Sequence, residues 1–303
     1  MVPHIRVVAY ASGTLGAMAQ QNSNTLHGRV ALITGANTGI GLVTARELAA
    51  RGAHVFVACR SAERAQAALD TIIPGAGAPK PEALALELSD FASVGRCASS
   101  FLARGLPLHL LINNAGLGGG RGLTKSGFEL AFGINHMGHF LLTQLLLERV
   151  KASAPARIVT VASKAHYRAR GIDWNAVRQR TATRSGFPEY GVSKLANVLF
   201  SAELGRRLAG SGVTTYALHP GVVASDIWRK VPWPLRALIK LAMISTEEGA
   251  KTSLYCATAP EVGHASGLYY DKCRAKEPSR VAQDTALAAQ LWQRSEDWVR
   301  QIA

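Results

Sequence analysis

The fold of this chain is decided by the stretch Val30-Ala31-Leu32-Ile33-Thr34-Gly35-Ala36-Asn37-Thr38-Gly39-Ile40-Gly41. Its apolar first residues predict a buried strand, and the residues from Leu42 to Arg51 have a helical pattern. Between them, glycines leave room for backbone N–H groups to approach an anion, and the helix N-terminus adds the positive end of its dipole. An ordinary turn is the alternative. The context favours a pyrophosphate site made by Gly35, Asn37, Thr38, Gly39, Ile40 and Gly41.

A second apolar strand, His54 to Cys59, ends at Arg60, about twenty residues after the glycine turn. An acidic residue here would bind a free ribose 2′-hydroxyl, whereas a guanidinium grips a 2′-phosphate. Arg60 therefore favours NADP over NAD as the cofactor. A solvated arginine at a strand end is the alternative, and Asn37 and Thr38 add no second positive charge to the glycine turn.

Two further polar segments follow apolar runs. The run Leu108 to Ile112 is followed by Asn113-Asn114-Ala115-Gly116, as expected at the carboxyl edge of a parallel sheet, where ligands bind. Asn135 lies inside an apolar helix predicted from about Phe128 to Val150, where its amide needs a partner. His136 and His139 lack a third ligand nearby, so we predict no metal site and interpret them as packed or surface histidines.

The pentad Tyr190-Gly191-Val192-Ser193-Lys194 places a phenol and an ammonium one helical turn apart. Bringing a phenol from its usual pKa to about pH 7 needs roughly 4 kcal/mol, which a nearby cation can supply. Upstream, the strand Arg157 to Val161 delivers Ser163, whose hydroxyl could hold a substrate oxygen. No nucleophile-elbow pattern surrounds Ser163. Lys164 beside it is interpreted as a solvated charge.

In this order and spacing the chain resembles the short-chain dehydrogenase/reductases, over roughly residues 28 to 300, and is similar to their retinol dehydrogenase group. The strings that carry the subgroup are Ala58 to Ser61, Asn135 to Thr143, Ser193 to Phe200 and Ser266 to Tyr270. The resemblance implies an α/β fold, a single-domain Rossmann fold with a doubly wound parallel sheet flanked by helices. It also implies a catalytic set of Asn135, Ser163, Tyr190 and Lys194. The further cofactor-binding residues that it implies are Glu87, Leu88, Asn114, Ala115, Gly116, Tyr190, Lys194, Pro220, Gly221, Val223 and Ser225.

The resemblance also implies roles. Tyr190 would exchange a proton with the substrate oxygen, Ser163 would hold that oxygen, Lys194 would lower the pKa of Tyr190 and bind the nicotinamide ribose, and Asn135 would keep a water in a proton relay. The chain departs from the family pattern at Glu87, which stands for an aspartate, at Ala162, which stands for a serine, and at Ser225, which stands for a threonine. None of these departures removes catalytic chemistry.

Composition limits the remaining possibilities. The 303 residues, 48% of them hydrophobic, suffice for one well-cored domain and show no repeat. We expect an N-terminal extension at 1–27, whose true start could be Met18, and a domain at 28–303. The unpaired spacing of four cysteines fits a cytoplasmic protein better than a secreted one. The net charge is +14, and part of it is concentrated in residues 164–184. We interpret this segment as a solvated loop, as a contact with an anionic membrane surface or as a site for acidic partners. We expect no nucleic-acid binding, because no binding module accompanies the charge.

The segment 222–246 is apolar with interspersed arginines and lysines, which predicts a lid over a lipophilic substrate. Its tryptophans suit peripheral membrane contact, or packing on its own domain or on a second subunit. Long helices near 128–150 and 190–208 could form a bundle shared in a homodimer or homotetramer. We expect an NADP(H)-dependent oxidoreductase that interconverts a lipophilic, retinoid-like alcohol and its carbonyl. The alternatives are a general carbonyl reductase for xenobiotic or secondary-metabolite ketones, and a non-catalytic NADP sensor or scaffold.

Overall fold

The computed structural model describes residues 25–221 and 244–302 of the chain. The expectations for most of the N-terminal extension and for nearly all of the lid, including Val223 and Ser225, lie outside these residues.

Eight strands form one sheet in the order β3-β2-β1-β4-β5-β6-β7-β8. Every neighbouring pair is parallel except β7 with β8. The strands are β1 (Val30–Thr34), β2 (His54–Cys59), β3 (Glu82–Ala85), β4 (Leu110–Asn113), β5 (Ala156–Val161), β6 (Val213–His219), β7 (Leu268–Asp271) and β8 (Arg274–Ala275).

Helices cover both faces of this sheet. They are α1 (Gly39–Ala50), α2 (Ala62–Leu69), α3 (Phe91–Leu102), α4 (Gly138–Lys151), α5 (Phe187–Arg207), α6 (Thr246–Thr258) and α7 (Thr285–Ile302). Short helical turns occupy Leu130–Phe132, Gly133–Met137, Lys164–Arg168, Ala176–Arg178, Pro260–Val262 and Arg280–Gln283.

Alternate residues of the central strands supply two separate cores. Leu32 of β1 packs in a cluster with α3, α4, α5 and α7, whereas its neighbours Ala31 and Ile33 pack in a second cluster with α1 and α6. Strands buried on both faces read as continuous apolar runs, which is why the sequence pattern finds them. The strand order reverses between β1 and β4, the position where doubly wound sheets bind ligands. The predicted doubly wound fold is confirmed.

The helix predicted from Phe128 to Val150 is divided into three parts. A short α-helical turn at Leu130–Phe132 is followed by a π-helical turn at Gly133–Met137 and then by α4. The segment Leu130–Lys151 is apolar enough to cross a membrane by length and composition, but 72% of its most apolar 18-residue window is buried inside the domain. It is therefore placed as a core helix, and the π-helical turn carries Asn135, as is frequent at functional sites.

The C-terminal helix α7 covers α4 and α5. The Trp292 ring stacks on Phe200 of α5, with centroids 5.9 Å apart, and meets Phe140 of α4 edge-on at 5.2 Å. A subunit bundle built on these two residues would have to displace α7. The bundle shared between subunits stays a prediction, and α7 of the same chain already covers these two side chains.

Candidate active site

The glycine turn lies against the loop that follows β4. Gly35 has a φ of +66°, and a Cβ there would stand 3.0 Å from Ala115. A Cβ on Gly41 would come within 2.4 Å of Asn114 Nδ2 and 2.7 Å of the Gly35 carbonyl. Asn114 Nδ2 itself donates to the Thr34 carbonyl at 2.8 Å. These two glycines are required because the loops after β1 and β4 touch at the switch point of the sheet.

The N-terminus of α1 is open to an anion. Its N-cap residue, Thr38, has extended backbone angles and makes no side-chain capping bond, and no acidic residue occupies the first turn. The first N–H groups of a helix have no partner inside it, so this end offers donors and a positive dipole to a pyrophosphate. The residues present therefore fit a dinucleotide, with the predicted Asn37, Gly39 and Ile40 in the same turn.

Arg60 stands at the carboxyl end of β2 with 71% of its side chain exposed. Its Nη1 lies 3.6 Å from Glu87 Oε2, and Glu87 Oε1 accepts the Ser89 N–H at 3.0 Å. The predicted ribose site and the predicted adenine-side residue are thus adjacent. Leu88 is buried. Its carbonyl oxygen lies so close to Gly138 that a Cβ on Gly138 would stand 2.5 Å from it.

The hydroxyls of the predicted catalytic residues Ser163 and Tyr190 meet where α5 crosses the end of β5. Ser163 begins the 3-10 turn Lys164–Arg168 and accepts the Ala165 N–H at 3.2 Å. Burial raises the pKa of Tyr190 above its usual range, and a hydrogen bond with the Ser163 side chain lowers it. Ser163, whose hydroxyl could hold a substrate oxygen, is therefore hydrogen-bonded to Tyr190, whose phenol would protonate that oxygen.

Lys194 is buried, and its Nζ donates to the Val161 carbonyl at 2.8 Å. Burial lowers the pKa of Lys194 to about 7. Burial is thus the main cause of both shifts, and a lowering of the pKa of Tyr190 by Lys194 stays a prediction. The ammonium also borders Gly116, where a Cβ would stand 3.3 Å from Nζ and 3.3 Å from Asn135 Oδ1.

The side-chain amide of Asn135 is fully used as a donor. Nδ2 donates to the Leu117 carbonyl at 3.0 Å and to Ser193 Oγ at 2.9 Å, while Oδ1 accepts the Leu117 N–H at 2.9 Å. Ser193 in turn donates to the Tyr190 carbonyl at 2.8 Å. The Asn135 side chain thus joins the loop after β4 to α5. Both of its Nδ2 hydrogens are already donated, so neither is available to a water in a proton relay.

Two basic residues of the segment 164–184 have partners that the sequence did not predict. Lys164 forms an ion pair with the buried Asp271, with Nζ 3.2 Å from Oδ2. The guanidinium of Arg178 lies 4.2 Å from the centroid of the Phe128 ring, and burial lowers its pKa. Lys164 remains 47% exposed, as expected of a solvated charge, whereas Arg178 is partly covered by a distant segment of the chain.

Three residues of this site were missed by the reasoning from sequence: Thr34, Ser193 and His139. Thr34 and Ser193 stand inside the two motifs themselves, so a search for hydroxyls within the motifs could have found them. His139 was interpreted as a packed or surface histidine, and it is buried. Within residues 25–221 and 244–302, no three His, Cys, Asp or Glu side chains are grouped to hold a metal ion.

Pro220 and Gly221 follow β6 at the same edge of the sheet. The structure thus gathers the glycine turn, Asn114 to Gly116, Asn135, Ser163, Tyr190 and Lys194 at the carboxyl ends of β1, β4, β5 and β6. This fold and site define an oxidoreductase that uses a nicotinamide dinucleotide.

Comparison with known proteins identifies the family. The family model described as short chain dehydrogenase matches residues 29–233. Mouse retinol dehydrogenase 12 is 46% identical over 268 residues, which cover 88% of this chain and 84% of that protein. Among solved structures, an uncharacterised protein from Mycobacterium paratuberculosis has a TM-score of 0.73 and 36% identity, covering 92% of this chain and 96% of that one. The NADP complex of Pseudomonas aeruginosa RhlG has a TM-score of 0.64 and 27% identity, with coverage of 82% and 95%.

This chain belongs to the short-chain dehydrogenase/reductase family, in its retinol dehydrogenase group. It is therefore an oxidoreductase of CH–OH groups on small molecules that uses NAD or NADP.

Proposed function

We propose that this protein is an NADP(H)-dependent oxidoreductase that interconverts a lipophilic, retinoid-like alcohol and its aldehyde or ketone. One observation carries the proposal. The Tyr190 and Ser163 side chains are hydrogen-bonded at the sheet edge that also holds the open N-terminus of α1. A proton donor, a group for the substrate oxygen and a dinucleotide site thus share one edge.

When bound, the nicotinamide supplies or accepts the hydride. In the reduction direction, Ser163 donates a hydrogen bond to the carbonyl oxygen and Tyr190 transfers its phenolic proton to that oxygen. The raised pKa of Tyr190 keeps the phenol protonated at neutral pH, which suits this direction. In the oxidation direction the same phenol must first lose its proton, which a bound cofactor and a charged Lys194 would favour.

The choice of NADP rests on Arg60. Its guanidinium is exposed at the end of β2 and is held beside Glu87 by an ion pair. A 2′-phosphate would be gripped bidentately there, whereas a free 2′-hydroxyl offers no charge to pair. The similar RhlG structure is a complex with NADP, which supports the same assignment.

The lipophilic substrate rests on the apolar segment 222–246 and on the likeness to retinol dehydrogenase 12. A cytoplasmic location is part of the same proposal. It is supported by cysteines that are all free, at Cys59, Cys97, Cys256 and Cys273.

A substrate screen with both cofactors tests the proposal. Purified protein is assayed with NADPH and with NADH against retinal, aliphatic aldehydes and bulky ketones, and kcat/KM is compared. We expect NADPH to be preferred and lipophilic carbonyls to be turned over fastest. A preference for compact polar ketones would support a general carbonyl reductase instead. Binding of NADPH without any turnover would support a sensor and contradict the proposal.

A further inference from the structure

The imidazole of His139 joins two parts of the candidate site. Its Nε2 lies 2.8 Å from Thr34 Oγ1, at the end of β1, and its Nδ1 lies 3.0 Å from the main-chain oxygen of Asn135. The ring is 1% exposed. A buried histidine with a partner on each nitrogen has a fixed orientation, and these two partners belong to the cofactor side and the catalytic side of the site.

The hydrogen positions follow from the partners. A carbonyl oxygen only accepts, so Nδ1 carries the hydrogen and donates to Asn135. Burial, together with the nearby Lys194 charge, lowers the pKa of His139 to about 4, so the ring is neutral and Nε2 is an acceptor. Thr34 Oγ1 already accepts the N–H groups of Asn114 at 3.0 Å and Ala115 at 2.9 Å. Its own hydrogen is donated to His139 Nε2 at 2.8 Å, because the Ile112 carbonyl, at 3.5 Å, is the more distant acceptor.

The bonds continue on the catalytic side. Asn135 is tied through its amide to Ser193 Oγ, and Ser193 Oγ donates to the Tyr190 carbonyl. One connected set of hydrogen bonds thus runs from the strand before the glycine turn to the helix turn that bears Tyr190. Each member is well satisfied, and such networks fix a unique geometry.

We propose that His139 is a positioning residue for the oxidoreduction. Through Thr34 it sets the loops that receive the dinucleotide, and through Asn135 it sets the turn that aligns Tyr190. The part of this inference that concerns Asn135 and Tyr190, its catalytic half, rests on the proposed function. The part that concerns Thr34, its cofactor half, requires only that the dinucleotide binds. His139 does not touch the reacting atoms.

Two substitutions separate the two bonds. In His139→Asn, the amide nitrogen takes the position of Nδ1, so the bond to Asn135 is kept and the bond to Thr34 is lost. In His139→Gln, the amide oxygen of the longer side chain takes the position of Nε2 and accepts from Thr34, so this bond is kept and the bond to Asn135 is lost. Leaving a buried group unpaired costs about 1–3 kcal/mol, which corresponds to roughly 5- to 150-fold in an equilibrium or a rate.

The readouts are the Kd for NADPH, from fluorescence titration of the whole protein, and kcat. We expect His139→Asn to raise Kd by about tenfold or more with kcat within about twofold, and His139→Gln to lower kcat by about tenfold or more with Kd nearly unchanged. Thr34→Val should raise Kd at least as much as His139→Asn, whereas Thr34→Ser, which keeps the hydroxyl, should restore it.

His136→Gln is the matched control. His136 is equally buried three residues earlier, but it contacts Ser295 Oγ at 3.1 Å and a cage of phenylalanines instead. We expect this variant to lower Tm and to leave Kd and kcat unchanged. The proposal is overturned if both His139 variants change only Tm, or if both change Kd and kcat in the same proportion. Kd can be measured without turnover. A wild-type protein that binds NADPH but is inactive would therefore refute the proposed function. In that case, the Kd values of Thr34→Val and Thr34→Ser would still test the cofactor half.

Discussion

The ammonium of Lys194 lies 5.7 Å from the centroid of the Tyr190 ring and donates to the Val161 carbonyl at 2.8 Å. No water shell surrounds this charge, because Lys194 is 3% exposed. Its protonation therefore depends on pH within the physiological range, since burial lowers its pKa to about 7. The charge that would assist Tyr190 is present below that pH and lost above it.

The first prediction concerns the pH dependence of activity. If charged Lys194 is needed, kcat/KM for carbonyl reduction should fall about tenfold per pH unit above the pKa of the free enzyme, near 7. Lys194→Arg keeps the charge at every accessible pH, so this falling limb should disappear even though the rate is lower. Profiles from about pH 6 to about pH 9 check this. If the fall of kcat/KM with pH persists unchanged in Lys194→Arg, the group that titrates is not Lys194.

The second prediction concerns cofactor choice. Arg60→Asp should raise KM for NADPH by about 10- to 100-fold, because charge-assisted bonds to a 2′-phosphate contribute about 1.5–3 kcal/mol. KM for NADH should stay level or fall. Arg96→Asp, an exposed arginine of α3, is the control. Equal responses of the two variants would show that overall charge, and not the Arg60 position, selects NADP.

The third prediction concerns the glycine turn. Gly41→Ala places a methyl group 2.4 Å from Asn114 Nδ2 and 2.7 Å from the Gly35 carbonyl, so the two loops must separate. We expect NADPH affinity to fall by about tenfold or more, measured by titration. Gly95→Ala in α3 is the matched control, because a Cβ there meets nothing within 4 Å. That control should leave affinity unchanged and raise stability by about 0.5–1 kcal/mol, since alanine favours helix. Unchanged NADPH affinity in Gly41→Ala would show that the contact between the loops after β1 and β4 is not needed for cofactor binding.

The fourth prediction concerns stability in acid. Burial lowers the pKa of His136 to about 3 and of His139 to about 4, below the ordinary value of 6.5. Between about pH 4 and 6.5 the unfolded chain binds more protons than the native one, so stability rises with pH across this window and is lost on acidification. Urea titrations should show this slope, reduced in His136→Gln. A flat profile between these pH values would mean that the rings are protonated in the native state.

Local patterns predict where the glycine turn and Arg60 lie in the fold. Gly35 to Gly41 sit between β1 and α1, and their geometry is dictated by the neighbouring residues in the chain. Arg60 is found in the same way, because a strand of known length fixes where its carboxyl end lies. The parallel sheet with helices on both faces also follows from the alternation of apolar runs and helices.

Long-range contacts account for what the sequence did not predict. His139 meets Thr34 across 105 positions of the chain, and no spacing rule marks that pair. The pKa of Lys194 depends on burial, which exists only after α5 has packed over β5. The ion pair of Lys164 is likewise not predicted, because its partner, Asp271, lies at the end of β7. Side chains whose role depends on tertiary neighbours are not visible to periodicity.

The most direct test of the central claim follows a labelled hydride. NADPH carrying deuterium in both positions at C4 of the nicotinamide is incubated with the enzyme and the best lipophilic carbonyl from the screen, and the alcohol is analysed by mass spectrometry. We predict one deuterium at the carbinol carbon of the product, with kcat lowered by about 10²-fold or more in Tyr190→Phe and unchanged in Tyr255→Phe on α6. Unlabelled alcohol, or equal rates for wild type and Tyr190→Phe, would contradict hydride transfer with Tyr190 as the proton donor.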